Sequence, residues 1–197
     1  NAGDTQWCVN MRTEQWSVLA QAAAGGLYLV IDLSGGPSAP SYPVSNLSAV
    51  PAGGWTDEYK TTRLVLRRIP AGTFNMGSPA GELERDSDET LHRVTLTKDF
   101  YIGVFEVTQR QWELVMGGNR SYFNNATYYQ TRPVEQVSYC DIREDPSNNT
   151  DDPAVDWPAN GAVNANSFMG ILRAKTGLAG FDLPTESQWE YACRAGS

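Results

Sequence analysis

Histidine is almost missing from this chain: His92 is the only one in 197 residues. A self-contained site with several imidazole ligands is therefore excluded. Any nucleophile–histidine catalytic arrangement would rest on that one side chain. Cysteine is also scarce. Cys8, Cys140 and Cys193 cannot all pair within one chain, and their spacing matches neither a small disulfide scaffold nor a zinc module. Basic residues are in deficit, with 15 Lys and Arg against 23 Asp and Glu. The resulting charge of -8 argues against a nucleic-acid backbone or an anionic membrane as partner. Long apolar runs are missing too; the longest, residues 27–31, is strand-sized, so no transmembrane segment is expected. The first residue is Asn1 rather than methionine and no leader is visible, so the chain reads as processed, trimmed or excerpted.

What is present is a globular composition, 41% hydrophobic and 19% charged, long enough for one domain plus an extension. Residues 1–60 read as an N-terminal extension or the end of a preceding module, and 61–197 as the main domain. In the first part, TEQWSVLAQAAA (13–24) has helical spacing and LYLVIDL (27–33) reads as a buried strand. Residues 34–54 are dense in Gly, Pro and Ser and read as loop or linker. In the second part, LVLRRI, TFNMG, HRVTLT and DFYIGVFEV read as strands, and PVEQVSY (133–139) as a segment holding a further short one. Helices are expected over 108–117, 162–177 and 185–196. Strands and helices mix without βαβ alternation, so the class is α+β, with few short strands and about three to four helices.

The two outer helices of that region begin alike. TQRQWE (108–113) and TESQWE (185–190) each carry a capping box, in which a threonine hydroxyl and a glutamine amide satisfy orphaned backbone donors. An internal repeat would explain the pair, as would two independent uses of one helix start. Flanking sequences do not match, which favours the second. Trp112, Val115 and Met116 are the expected buried face of the first helix; Trp189, Ala192 and Cys193 that of the second. Ala165, Phe168 and Leu172 are the face expected for 162–177, with Gly117 and Gly177 as helix stops.

Four segments carry a resemblance: IPAGTFNMGSP (69–79), HRVTLTKDFYIGVFEVTQRQWELVMG (92–117), RPVEQVSY (132–139) and FDLPTESQWEYACRAG (181–196). In this order and spacing they resemble the N-terminal half of the formylglycine-generating enzyme, or sulfatase-modifying factor, family. Residues 143–160 look like an insertion. The resemblance implies a variant of the C-type lectin fold, here incomplete. It also implies oxidation of a cysteine in a sulfatase-like protein or peptide substrate to formylglycine, with copper held by a cysteine pair and calcium supporting the fold. The family's catalytic cysteines and calcium ligands belong to its C-terminal half, so no catalytic residue transfers to this sequence. Neither Cys140 nor Cys193 stands at such a position. The scarcity of histidine weighs against a related family of iron-dependent sulfoxide synthases. The alternative function is a non-catalytic, lectin-like module of a secreted or cell-envelope protein that binds an extracellular ligand. A third reading is structural: a chain that lacks half of such a fold exposes strand edges and apolar surface, and is either completed by a further polypeptide segment or is part of a longer chain.

Among the residues themselves, the loop with Asn119, Tyr122, Phe123, Tyr128 and Tyr129 has the composition of an adaptable recognition surface, for a peptide or a glycan. The acidic run Glu82, Glu84, Asp86, Asp88, Glu89 and the oxygen-rich run Asp145, Asn148, Asn149, Asp151, Asp152, Asp156 contain Ca²⁺ ligand types without EF-hand spacing, and read as solvated charge. No metal ligand is assigned. Sequons at Asn46, Asn119, Asn125 and Asn148 carry little weight in a chain rich in Asn, Ser and Thr.

Overall fold

The computed structural model describes residues 10–12, 26–83, 85, 89–147 and 163–194. The helix expected over 13–24 lies outside them. Eight strands are described: β1 Asn10–Arg12, β2 Tyr28–Asp32, β3 Val44–Leu47, β4 Arg63–Ile69, β5 Gly72–Met76, β6 His92–Leu96, β7 Phe100–Gly103 and β8 Phe181–Asp182. Five helices accompany them: α1 Glu58–Thr61, α2 Gln109–Met116, α3 Tyr139–Ile142, α4 Phe168–Thr176 and α5 Glu186–Cys193, plus a 3₁₀ turn at Tyr129–Thr131. This is an α+β architecture. The additional helices, α1 and α3, are single turns too short for apolar periodicity to reveal.

One sheet has six strands in the order β3-β2-β4-β7-β1-β8, and β5 pairs with β6 in a second. Every strand pair is antiparallel. The apolar run of β2 is buried on both faces, as its lack of alternation implies. Leu29 and Ile31 stand in register with Leu66 and Leu64 of β4 and share the main core with α2 and α4. Burying each such side chain contributes about 1.5–3 kcal/mol. Tyr28, Val30 and Val65 face the other way, under Trp55, Tyr59 and Phe105. Strands on either side of residue 60 thus belong to one sheet. Residues 34–54, expected as loop, contain β3. Its four residues sit between prolines at 43 and 51, and the pairing with β2 rather than local propensity makes it a strand.

α2 starts where Thr108 and Gln111 form the capping box and stops at Gly117, left-handed at φ 82°. Gln111 Nε2 also donates to the carbonyls of Arg63 at 2.6 Å and Tyr59 at 3.3 Å, which ties the helix to the start of β4 and to α1. Trp112 stacks on Phe168 of α4, with ring centroids 5.0 Å apart. α4 begins later than expected, capped by Ser167, and Ala165 lies exposed before it. Residues 133–139 hold no strand. Gln109 N–H donates to the Arg132 carbonyl (2.8 Å) and Val134 N–H to that of Val107 (2.9 Å), an isolated bridge, and Ser138 with Asp141 then caps α3.

α5 is capped by Thr185 and Gln188 as expected, but its buried face differs. Tyr191 points inward against Phe74, with centroids 5.2 Å apart, while Trp189 is 40% exposed and Cys193 is exposed. The β5–β6 hairpin is what α5 packs on, and it lies on the Tyr191 side. Glu190 Oε1 accepts the Gly77 N–H (2.9 Å), and Arg194 Nη2 donates to the Gly77 carbonyl (2.8 Å). Gly77 itself is at φ 90°, and a Cβ there would lie 2.7 Å from the Thr90 carbonyl oxygen.

Candidate functional site

Gly117 turns the chain out of α2 into residues 118–135, and a buried glutamine holds that loop in place. Gln109 opens α2 and is 1% exposed. Its Nε2 donates to the carbonyls of Phe123 and Pro133, each at 3.3 Å, and its Oε1 accepts from Asn119 Nδ2 at 3.0 Å. Both arms of the loop thereby satisfy a buried amide. Glu135 adds a second tether, its Oε1 accepting the Phe123 N–H at 2.9 Å. Its neighbour Gln136 sits at φ 56°, a left-handed conformation that costs about 1 kcal/mol for a residue with a Cβ. Arg120 reaches the buried Asp141 carboxylate of the α3 cap at 2.7 Å. On the far side, the Asn125 carbonyl accepts from the N–H groups of Tyr128 and Tyr129, and Asn125 Oδ1 from that of Thr127.

On this bonded frame the aromatic rings point outward. Tyr122, Phe123 and Tyr128 are 72%, 63% and 60% exposed. Tyr122 and Phe123 meet edge to face, with centroids 5.0 Å apart at 90°. Arg132 links them to Tyr128: its Nη1 donates to the Phe123 carbonyl (3.3 Å) and its guanidinium lies 5.6 Å from the Tyr128 ring centroid. Of the residues named from sequence, Tyr122, Phe123 and Tyr128 come together through Arg132. Asn119 turns inward as a tether, its Oδ1 also accepting the Ser121 N–H at 3.0 Å, and Tyr129 is half-buried in the 3₁₀ turn. Gln109, Arg132 and Glu135 were not foreseen. Gln109 follows the N-cap directly, and Arg132 and Glu135 stand in the RPVEQVSY motif, but only the loop's return to α2 gives them their roles.

The other candidates disperse. Arg85 closes the acidic run by donating to the carbonyls of Ser78 and Glu89, while residues 84 and 86–88 lie outside the described set. Of the oxygen-rich run, Asp145 accepts from Ser147 N–H and Oγ, and residues 148–156 are likewise not described. His92 is exposed, with Nδ1 2.7 Å from the Thr90 carbonyl. Cys140 is buried in α3, and burial pushes its thiol up. A cavity of about 10 Å³ between Trp112, Val134, Ile142 and Phe168 is no larger than one water. Among the described residues no three His, Cys, Asp or Glu side chains converge as a metal site. Neither copper nor calcium is therefore assigned to the described residues. Among the described residues, no helix is long and apolar enough to cross a membrane.

Residues 33–197 match the family model of the sulfatase-modifying factor enzyme 1-like domain. The chain belongs to this family. It is similar to the chaperone protein LppX of Paenibacillus barcinonensis, 39% identical over 112 residues, covering 52% of this chain and 38% of that protein. It is also similar to the formylglycine-generating enzymes of Bos taurus and Mus musculus, 26% identical over 157 residues and 27% over 153, in each case 65% of this chain and 39% of the relative. The chain thus spans about two-fifths of the length of the curated relatives it matches. No solved structure matches it significantly. Within the sulfatase-modifying-factor domain, the first and last motif segments meet in space where Gly77 receives Glu190 and Arg194.

Proposed function

We propose that residues 61–197 form the N-terminal half of a formylglycine-generating-type domain with the lectin-variant fold, and that strands β2 and β3 of the preceding extension build onto it. The reading rests on one observation: the described parts of the family's motif segments, from residue 69 to 194, pack together, with α5 clamped on the β5–β6 hairpin through Gly77 and Val134 in one core with Val107, Trp112 and Phe181. On this reading the full-length protein oxidises a cysteine of a protein or peptide substrate to formylglycine. In that reaction copper and molecular oxygen supply the oxidising chemistry, and no step of it is assigned to the residues described here. The exposed α5 stripe of Trp189 and Cys193 is where a further segment of the fold packs. The test is mass spectrometry of a cysteine peptide of sulfatase type after incubation with the copper-loaded full-length protein. An aldehyde product trapped by a hydrazide supports the reading, and unchanged cysteine overturns it.

A second reading has its own support. Three exposed rings on a loop whose backbone is bonded from both sides make a preformed recognition surface, so the module binds a ligand whether or not the whole protein oxidises anything. Replacing Tyr122, Phe123, Tyr128 and Tyr129 by Ala then abolishes ligand binding while the fold persists; unaltered binding counts against it.

A further inference from the structure

From the loop of the second reading, on which this inference rests, we infer a specific ligand class: a short oligosaccharide of uronic acids, stacked on Tyr122 and Phe123 with a carboxylate on Arg132. Three observations narrow the choice. First, the backbone at Phe123 is already taken up. The Phe123 N–H and C=O are both bonded within the loop, as are the N–H groups of Tyr128, Tyr129, Thr131 and Arg132. An extended peptide adding itself as a strand finds no free backbone partner at Phe123 itself. Second, Tyr122 and Phe123 stand perpendicular, at 90°. They form a corner with a flat outer ring face, and not the slot between rings into which a proline helix inserts. A pyranose has the matching shape, with an apolar C–H face for the ring and hydroxyls at its rim for phenol and amide groups. Third, the charge is local and unneutralised. Arg120 is paired with Asp141 and Glu135 holds the Phe123 N–H, but Arg132 forms no ion pair among the described residues. It sits exposed between Phe123 and Tyr128. A carboxylate at the rim of a stacked sugar meets it bidentately.

The test is isothermal titration of the protein with trigalacturonate, with neutral cellotriose and with an acidic proline-rich peptide. Tyr122→Ala/Phe123→Ala and Arg132→Gln variants run alongside, with thermal midpoints as folding controls. Trigalacturonate is expected to bind at least about tenfold more tightly than cellotriose, and to weaken about tenfold or more in either variant and on adding salt. Equal affinity for both sugars, or no sugar binding, overturns the inference. Peptide binding alone, lost in the double variant, overturns the sugar while leaving the loop reading intact. If no probe distinguishes the double variant from the parent, both fall.

Discussion

The hydroxyl of Tyr191 fills the space that a side chain at residue 72 would need: a Cβ on Gly72 would lie 2.1 Å from it. A strand of the hairpin and the last helix therefore share one volume. Gly72→Ala is expected to destabilise the protein by about 2 kcal/mol, in the range of overpacked cores. In a Tyr191→Phe background the clash is relieved in part, so the two changes combine non-additively. A cycle of denaturant midpoints checks this; additive effects would mean that the contact carries no energy.

Gln109 anchors the aromatic loop from below, and its loss should loosen the loop before it unfolds the chain. Gln109→Ala leaves the amide of Asn119 and two carbonyls without this partner, a cost of about 1–3 kcal/mol. Amide hydrogen exchange across residues 118–135 is expected to accelerate while β2 and β4 stay protected. Uniform acceleration over the whole sheet would assign Gln109 to the core and not to the loop.

Arg143 is a cation buried among the described residues, 2% exposed, with Nε donating to Asp182 Oδ1 at 2.7 Å and Nη1 to Glu144 at 2.6 Å. Burial disfavours its charge, but the hydrogen bonds and charge of Asp182 outweigh that and hold it protonated. Arg143→Met leaves Asp182 with Arg173 Nη2 at 3.4 Å and the Leu183 N–H at 2.9 Å and should cost about 3 kcal/mol, whereas Arg143→Met/Asp182→Leu recovers part of it. Thermal midpoints of the parent and the two variants decide; a double variant as weak as the single would rule out an under-compensated charge.

Asp99 makes stability depend on acid. The Ala71 N–H at 2.8 Å, and then Arg68, hold its carboxyl below the usual carboxylate range. Its contribution is complete above the ordinary value of about 4 and disappears as pH falls through the lower folded value. Asp99→Asn should lose about 1 kcal/mol at neutral pH, discounted for exposure of the pair, and show a shallower decline toward pH 2. Melting curves from pH 7 to 2 measure both, and parallel declines would exclude Asp99 as a source.

Much of this fold was legible from short stretches. β2, β4, β5 and β6 lie within a residue of their expected bounds, because their apolar and β-branched content suits a pleated, half-buried surface. β3 was hidden by its Pro- and Gly-rich surroundings, and α3 by its single turn. In the candidate site, composition pointed to Tyr122, Phe123 and Tyr128. It was silent on Arg132, Glu135 and Gln109, whose contacts join residues 9 to 24 positions apart.

The two T-x-x-Q-W-E helices mark the division most clearly. Sequence alone determined where each begins, since a capping box closes within four residues and needs nothing from elsewhere. It also determined the family, through motifs in order. Which face each helix buries was decided only by the tertiary structure. Trp112 is 3% exposed against Phe168, while Trp189, at the same position after its cap, is 40% exposed because the β5–β6 hairpin lies on the side of Tyr191. A hydrogen bond within one turn is local, but burial requires a partner surface from distant chain, and identical helix starts meet different partners.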